Sequence, residues 1–202
     1  MKLLAIGLAL WGPVTWTFES DAPGGPPAGF DRVSTRGVGP GVWKVLQDGE
    51  NRVLAQVEDS APAHRYALAI VRDSSYRDLA LSVRGRPIAG GRDQSVGLVW
   101  RCRDENNYYL ARSNVLEQNV RLYRVVNGNR IKFAGRERVP LKTGEWQRLR
   151  VEHRGAAIAV FLNGEKLFEA EDRTFSEAGK VGVWIKSDSV TWFDDLAVEE
   201  LR

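Results

Sequence analysis

The chain has very little sulfur and very little histidine. Its 202 residues contain one cysteine, one methionine and two histidines. A single cysteine excludes an intrachain disulfide framework and a cysteine-built zinc site. His64 and His153 stand beside no Ser-His-Asp type of motif. Both read as surface residues, and a histidine-based metal site is not indicated. No apolar run reaches the ~18 residues of a membrane-spanning helix. A dominant charge is missing too: 29 Lys plus Arg against 26 Asp plus Glu give a net +3. So mild and mixed a balance does not mark a nucleic-acid partner.

What is present is glycine (20) and tryptophan (7), with 43% hydrophobic and 27% charged residues. Those fractions are ordinary for a globular protein, and the length suits one domain. Lys2 followed by the apolar run Leu3–Leu10 has the layout of a secretory signal peptide. The expected organisation is a signal segment over residues 1–14 and one domain over 15–202, placed in the periplasm or outside the cell. The competing reading of the first stretch is a buried strand. Residues 20–41 are rich in Gly and Pro and read as a long ordered loop.

From Val42 onward the apolar pattern has period two. Tyr66, Leu68 and Ile70 alternate with Ala67, Ala69 and Val71, and Leu79, Leu81 and Val83 alternate with Ala80, Ser82 and Arg84. Leu149 and Val151, then Ile158, Val160 and Leu162, repeat it. Period two means strands with one face on a core. Asn127-Gly128 and Asn163-Gly164 sit between such runs. Asn-Gly is the strongest short hairpin signal, because a type I′ turn needs positive φ twice. No window holds a helical apolar stripe. The expected fold is all-β, a two-sheet antiparallel sandwich or jelly roll.

Several segments resemble a known family. They are Trp16-Thr17-Phe18-Glu19 with Pro27-Ala28-Gly29-Phe30, and Gly97-Leu98-Val99-Trp100-Arg101 with Asn106-Asn107-Tyr108-Tyr109. Gly144-Glu145-Trp146 leading into Leu149-Arg150-Val151, the Leu162-Asn163-Gly164 turn, Gly182-Val183-Trp184 and Trp192-Phe193-Asp194-Asp195 complete the set. The whole is similar to the 3-keto-disaccharide hydrolase-like domain of the concanavalin A-like lectin/glucanase superfamily. That resemblance implies a laminin-G-like jelly roll whose concave sheet faces a carbohydrate, an oligo- or polysaccharide. It also raises glycoside cleavage. The E-x-D-x-x-E strand of active glucanases is missing, and Glu169-Ala170-Glu171-Asp172 has the wrong spacing. The fold hosts many functions. Two therefore stay open: a sugar-cleaving enzyme, and a non-catalytic carbohydrate-binding or adhesion module.

Strand parity suggests where a sugar would sit. With Asp104-Glu105-Asn106-Asn107 as a turn, Arg103 pairs with Tyr108, Arg101 with Leu110 and Val99 with Arg112. Arg101, Arg103, Tyr108 and Arg112 then share a face, and Asn119, Arg121 and Tyr123 of the next strand join it. Asn114 and Glu117 lie at the connection. Arg and Asn supply fixed donors and acceptors, and Tyr a flat surface with a polar tip, which suits hydroxyl-rich rings; several Arg also suit a carboxylate. Glu117 is the catalytic candidate, the alternative being a loop carboxylate paired with an arginine. Glycoside hydrolysis usually needs a second carboxyl group, and none stands out. Cys102 falls on the expected core face. Trp146, Trp184 and Trp192 are expected in the core, and Trp43 is undecided between core and groove. Glu19, Asp21, Asp194 and Asp195 are candidate ligands of a structural Ca²⁺ joining the termini, since calcium takes carboxylate and carbonyl oxygens.

Overall fold

The computed structural model describes residues 12–201. Residues 1–11, which hold most of the expected signal segment, lie outside the described residues. The strands are β1 (Val14–Trp16), β2 (Phe30–Ser34), β3 (Trp43–Asp48), β4 (Asn51–Gln56), β5 (Tyr66–Val71), β6 (Leu79–Ala89), β7 (Ser95–Asp104) and β8 (Asn107–Asn114). They continue as β9 (Asn119–Val126), β10 (Asn129–Glu137), β11 (Gln147–Arg154), β12 (Ala157–Leu162), β13 (Glu165–Glu171), β14 (Lys180–Lys186) and β15 (Val190–Glu200). One 3-10 turn, Thr35–Gly37, follows β2. No helix among the described residues is long and apolar enough to cross a membrane.

The strands form two antiparallel sheets. The first runs β13-β12-β11-β6-β15-β4-β3, with β1 paired to β15; the second runs β10-β9-β8-β7-β14-β5-β2. The Gly/Pro-rich stretch read as loop thus contributes the edge strand β2, anchored where Phe30 pairs opposite Val71 and stays buried. Both Asn-Gly pairs adopt the positive φ that type I′ turns require: 49° and 74° at Asn127-Gly128, and 51° and 88° at Asn163-Gly164.

The inner faces meet in one core. Leu79, Leu81 and Val83 of β6 and Leu149 and Val151 of β11 face Leu98, Trp100, Ala111 and Leu122 of the second sheet. Trp43 belongs to it as well. His153, expected at the surface, is buried in β11, where its Nδ1 accepts the Trp100 Nε1–H at 2.9 Å. It follows Leu149 and Val151 at the same two-residue period, which points it inward.

The β7–β8 register departs from the expected one at a bulge. Asp104 pairs with Asn107, but Trp100 pairs with Tyr109 and Val99 with Leu110, two residues out of step. Arg101, with φ 43°, sits at the irregularity. A two-residue slip preserves parity before the bulge, so Leu98, Trp100, Tyr109 and Ala111 stay inward. Beyond it the alternation is broken, and Cys102 joins an outer cluster rather than the inter-sheet core.

That outer cluster covers one face of the second sheet. Leu68, Ile70, Val99, Tyr108, Leu110, Tyr123, Val125 and Trp184 form it. Gly97 is required beneath Trp184, because a Cβ there would lie 2.9 Å from the Trp184 Cβ. Overpacking of that kind costs about 1–3 kcal/mol. Trp184 is thus buried, but outside the core expected for it. Trp146 and Trp192 are half-buried on the outer face of the first sheet, under the guanidiniums of Arg84 (4.7 Å) and Arg86 (5.5 Å).

Candidate functional site

The β8–β9 connection builds a charged group from residues close in sequence. Asn114 Oδ1 accepts the Glu117 N–H at 2.8 Å, which shapes the turn. Arg112, fully buried, then donates to Glu117 Oε1 at 3.2 Å and Oε2 at 2.8 Å, and to Asn119 Oδ1 at 2.9 Å. Arg121 donates to Glu117 Oε2 at 2.9 Å, and to Glu137. The Arg112 guanidinium, aided by Asn119 and Arg121, holds the Glu117 carboxyl down at about 2, against burial. Glu117 is therefore ionised throughout the neutral range and has no proton to give as a general acid.

The β6–β7 connection adds a carboxylate from far along the chain. Asp188 accepts backbone N–H bonds from Gly91, Arg92 and Asp93, which ties that loop to the β14–β15 turn. Asp93 is thereby placed, with no exposure, 3.6 Å from Arg112 Nη1 and 3.4 Å from Lys186 Nζ. Burial pushes its carboxyl above the usual range, against the pull of Ser95, Arg112 and Lys186. Around it, both Asp93 oxygens, Ser95 Oγ, Arg112 Nε, Asn114 Nδ2 and Ser187 Oγ are buried without a hydrogen-bond partner.

An aromatic floor adjoins this charged group. Tyr66 stacks on Trp184 with ring centroids 5.5 Å apart. Arg130, from the start of β10, lies over Tyr123 (4.6 Å), Tyr66 (4.8 Å) and Trp184 (5.6 Å). Beyond Arg130 the face is covered. Thr35 Oγ1 and the Tyr108 hydroxyl share a 2.7 Å hydrogen bond, and the Arg36 N–H donates to Asn106 Oδ1 at 2.9 Å. The segment after β2 thus caps the tips of the β7–β8 and β9–β10 hairpins.

Of the expected binding residues, Arg112, Asn114, Asn119, Arg121 and Tyr123 come together with Glu117. Tyr108 shares the face but lies under the Thr35 cover. Arg101 does not reach it. Its guanidinium is buried at the end of the sandwich, on the carbonyls of Arg77, Phe175 and Gly155 and on Asp78. Arg103 is exposed over the Phe175 ring. The bulge at Arg101 accounts for both departures.

The four expected calcium ligands have other partners. Glu19 accepts the Arg52 N–H, and Asp21 the Ala28 N–H. Asp194 accepts from Asn51, and Asp195 pairs with Arg84 and Arg148. Among the described residues no group of three His, Cys, Asp or Glu side chains is placed to hold a metal ion. Cys102 is buried, and its thiol is pushed up to about 12 by burial, so it is no nucleophile.

Sequence reasoning missed Asp93, Lys186, Tyr66, Trp184 and Arg130. Tyr66 and Trp184 carried a local signal: each continues the outward parity of its strand, with Leu68 and Ile70 on β5 and with Lys186 on β14. Asp93 and Arg130 had none, since both arrive by tertiary contact.

The comparisons with known proteins agree with this architecture. A family model described as the 3-keto-alpha-glucoside-1,2-lyase-like domain matches residues 25–199. The chain belongs to that family. The fold is shared beyond this lyase-like domain family. The carbohydrate-binding module CBM66 from Bacillus subtilis is 21% identical with a TM-score of 0.67, over 85% of this chain and 96% of that one. The beta-glucanase of Bacillus licheniformis is 10% identical with a TM-score of 0.63, over 95% and 99%. Both show the jelly-roll fold. A comparison with curated protein sequences gave no match.

Proposed function

We propose that the domain binds a saccharide on the outer face of its second sheet, where Glu117, Arg121 and Lys186 lie on the same face as the half-buried Tyr66, whose ring is backed by the buried Trp184. The observation that carries this reading is that the partly exposed polar groups are already fixed. Glu117 is gripped by Arg112, Arg121 by Glu117 and Glu137, and Lys186 pairs with Asp93. Fixed donors and acceptors, with the one partly exposed ring of Tyr66 on the same face, bind hydroxyl-rich rings at low ordering cost. The CBM66 likeness supports the same reading.

Cleavage is the second reading, favoured by one observation. Asp93 and Glu117 flank the same guanidinium, and their carboxyl groups are displaced in opposite directions. Acid–base pairs have that character. In a 3-keto-glucoside the ketone acidifies the C2–H bond. Elimination passes that proton to a base while the C1–O bond breaks and the departing oxygen is protonated. Glu117 is ionised but, near 2, a weak base, and Asp93 is enclosed. Binding is therefore placed ahead of turnover.

A glycan array followed by titration calorimetry on the hits tests both. Arg121→Ala and Lys186→Ala are expected to weaken binding at least ~10-fold, the loss of one or two charged hydrogen bonds. Unchanged affinity in both variants would remove this face from the function. Product analysis of wild type and Glu117→Gln addresses cleavage: turnover that persists unchanged in the variant excludes Glu117 as a catalyst.

A further inference from the structure

The arginines around this face differ in one respect. Arg65, Arg112 and Arg121 each hold a carboxylate: Glu58, Glu117 and, for Arg121, both Glu117 and Glu137. Arg36 and Arg130 form no ion pair among the described residues, although they stand close together. They line one depression of about 290 Å³ with His64, Tyr66, Gly128 and Asn129, and no acidic residue lines it. That volume is near the lower end of the roughly 300–1,000 Å³ typical of ligand sites.

The depression has built walls. The Arg36 guanidinium donates to the Asn129 side-chain carbonyl. Gly128 admits it: a Cβ at that position would lie 2.8 Å from the Arg36 Cγ and Nε. Arg130 is held over the Tyr66, Tyr123 and Trp184 rings. Two guanidiniums without carboxylate partners, lining one depression free of acidic residues, match an anionic oxygen group. The aromatic wall beside it suits the apolar side of a ring.

We infer that this depression is a subsite for an anionic substituent, a carboxylate or a sulfate ester, on the saccharide bound by the neighbouring face. The inference rests on the saccharide-binding reading and names the class of sugar: an acidic one. Arg36 and Arg130 take the anion, and Tyr66 carries the ring. His64, exposed at the rim, adds a ring N–H donor.

The test is titration calorimetry with three sets of probes: hexuronate oligosaccharides, their carboxyl-reduced counterparts, and sulfated forms of the same neutral backbone. Wild type is compared with Arg36→Ala and His64→Gln, with thermal melting as a fold control. The expected result is at least ~10-fold tighter binding of the hexuronate or the sulfated set than of the reduced set. That preference should largely vanish in Arg36→Ala while affinity for the reduced set stays within ~2-fold. If Arg36→Ala melts early, His64→Gln, altered only at an exposed side chain, should still reduce the preference ~2-fold or more. Equal binding of acidic and neutral sets by wild type overturns the inference and leaves saccharide binding standing. Inorganic sulfate alone binding as tightly as the sulfated saccharide also overturns it. Failure to bind any of the three sets would count against the saccharide reading itself.

Discussion

Strand β8 runs between two buried polar clusters that are satisfied to different degrees. Near its start, the Tyr109 hydroxyl donates to Asp172 at 2.6 Å and accepts the Phe175 N–H at 3.1 Å. Beside it Arg101 makes four hydrogen bonds, three of them to carbonyls. At the other end, Arg112, Asp93, Ser95 and Asn114 keep buried atoms without partners. A buried polar group without a partner costs about 1–3 kcal/mol, so one cluster is built for stability and the other tolerates a deficit. Deficits of that kind concentrate where a molecule binds something. The saturated cluster is scaffold, and the unsaturated one marks the site.

The largest expected effect tests the scaffold half of that contrast. Arg101→Met takes the donor from three carbonyls, the buried one of Phe175 among them, and removes the Asp78 ion pair. Hydrogen bonds to a charged group contribute about 1.5–3 kcal/mol each, so losing this set should cost about 3 kcal/mol or more. Urea unfolding should show that loss, and saccharide affinity of the folded fraction should be unchanged. A loss below ~1 kcal/mol, the range of ordinary surface changes, would show that Arg101 is not part of the scaffold.

His153, whose ring meets that of Tyr109, gives this end of the sandwich a pH signature, although its own Nε2 is buried without a hydrogen-bond partner. Burial, then the nearby Arg101 charge, lowers the imidazole from 6.5 to about 4. Its Nδ1 already accepts the Trp100 N–H, so the neutral form is the one that fits. Between those two values the unfolded chain holds more protons than the folded one. Stability from this group is complete above pH 6.5 and is lost as pH falls toward 4, by up to roughly 3 kcal/mol. Unfolding measured at pH 7 and pH 5 should show the decline in wild type and a smaller one in His153→Gln. Equal declines would assign the pH dependence to other groups.

The two clusters were not equally legible in the sequence. Arg112, Asn114, Glu117, Asn119 and Arg121 lie within ten residues, so local parity and one short turn were enough to group them. The sandwich was legible for the same reason, since period-two alternation and Asn-Gly turns act at short range. Arg101 was misplaced because one residue at φ 43° reorients everything after it, and Arg carries no preference that signals a bulge. His153 was misread as exposed although the parity of Leu149 and Val151 points it inward; what had no local signal was its partner Trp100, 53 residues away. Asp93 reaches Arg112 only through the Asp188 grip on its loop. Trp146 and Trp192 were read as core from hydrophobicity alone, yet guanidiniums cover them on the open face of the first sheet.

The two aspartates give the finest comparison. In Asp172, burial is outweighed by hydrogen bonds from Thr174 and Tyr109 and by the Arg124 pair, and the carboxyl is lowered. Its contribution is present above its unfolded value and is lost as pH falls through that range. In Asp93, burial outweighs Ser95, Arg112 and Lys186, and the carboxyl is raised. Its carboxylate opposes folding relative to the neutral form, so that stability is present at low pH and is lost as pH rises. An asparagine imitates the neutral form in each place. Asp172→Asn should cost about 2 kcal/mol, since charged hydrogen bonds are worth roughly 1.5–3. Asp93→Asn should change stability by less than ~1 kcal/mol, because removing the buried charge offsets the lost ion pairs and Arg112 keeps Glu117. It should also weaken saccharide binding by loosening Lys186. Urea unfolding and calorimetry on the two variants separate the cases. Equal stability losses with unchanged affinity would mean that both clusters are scaffold.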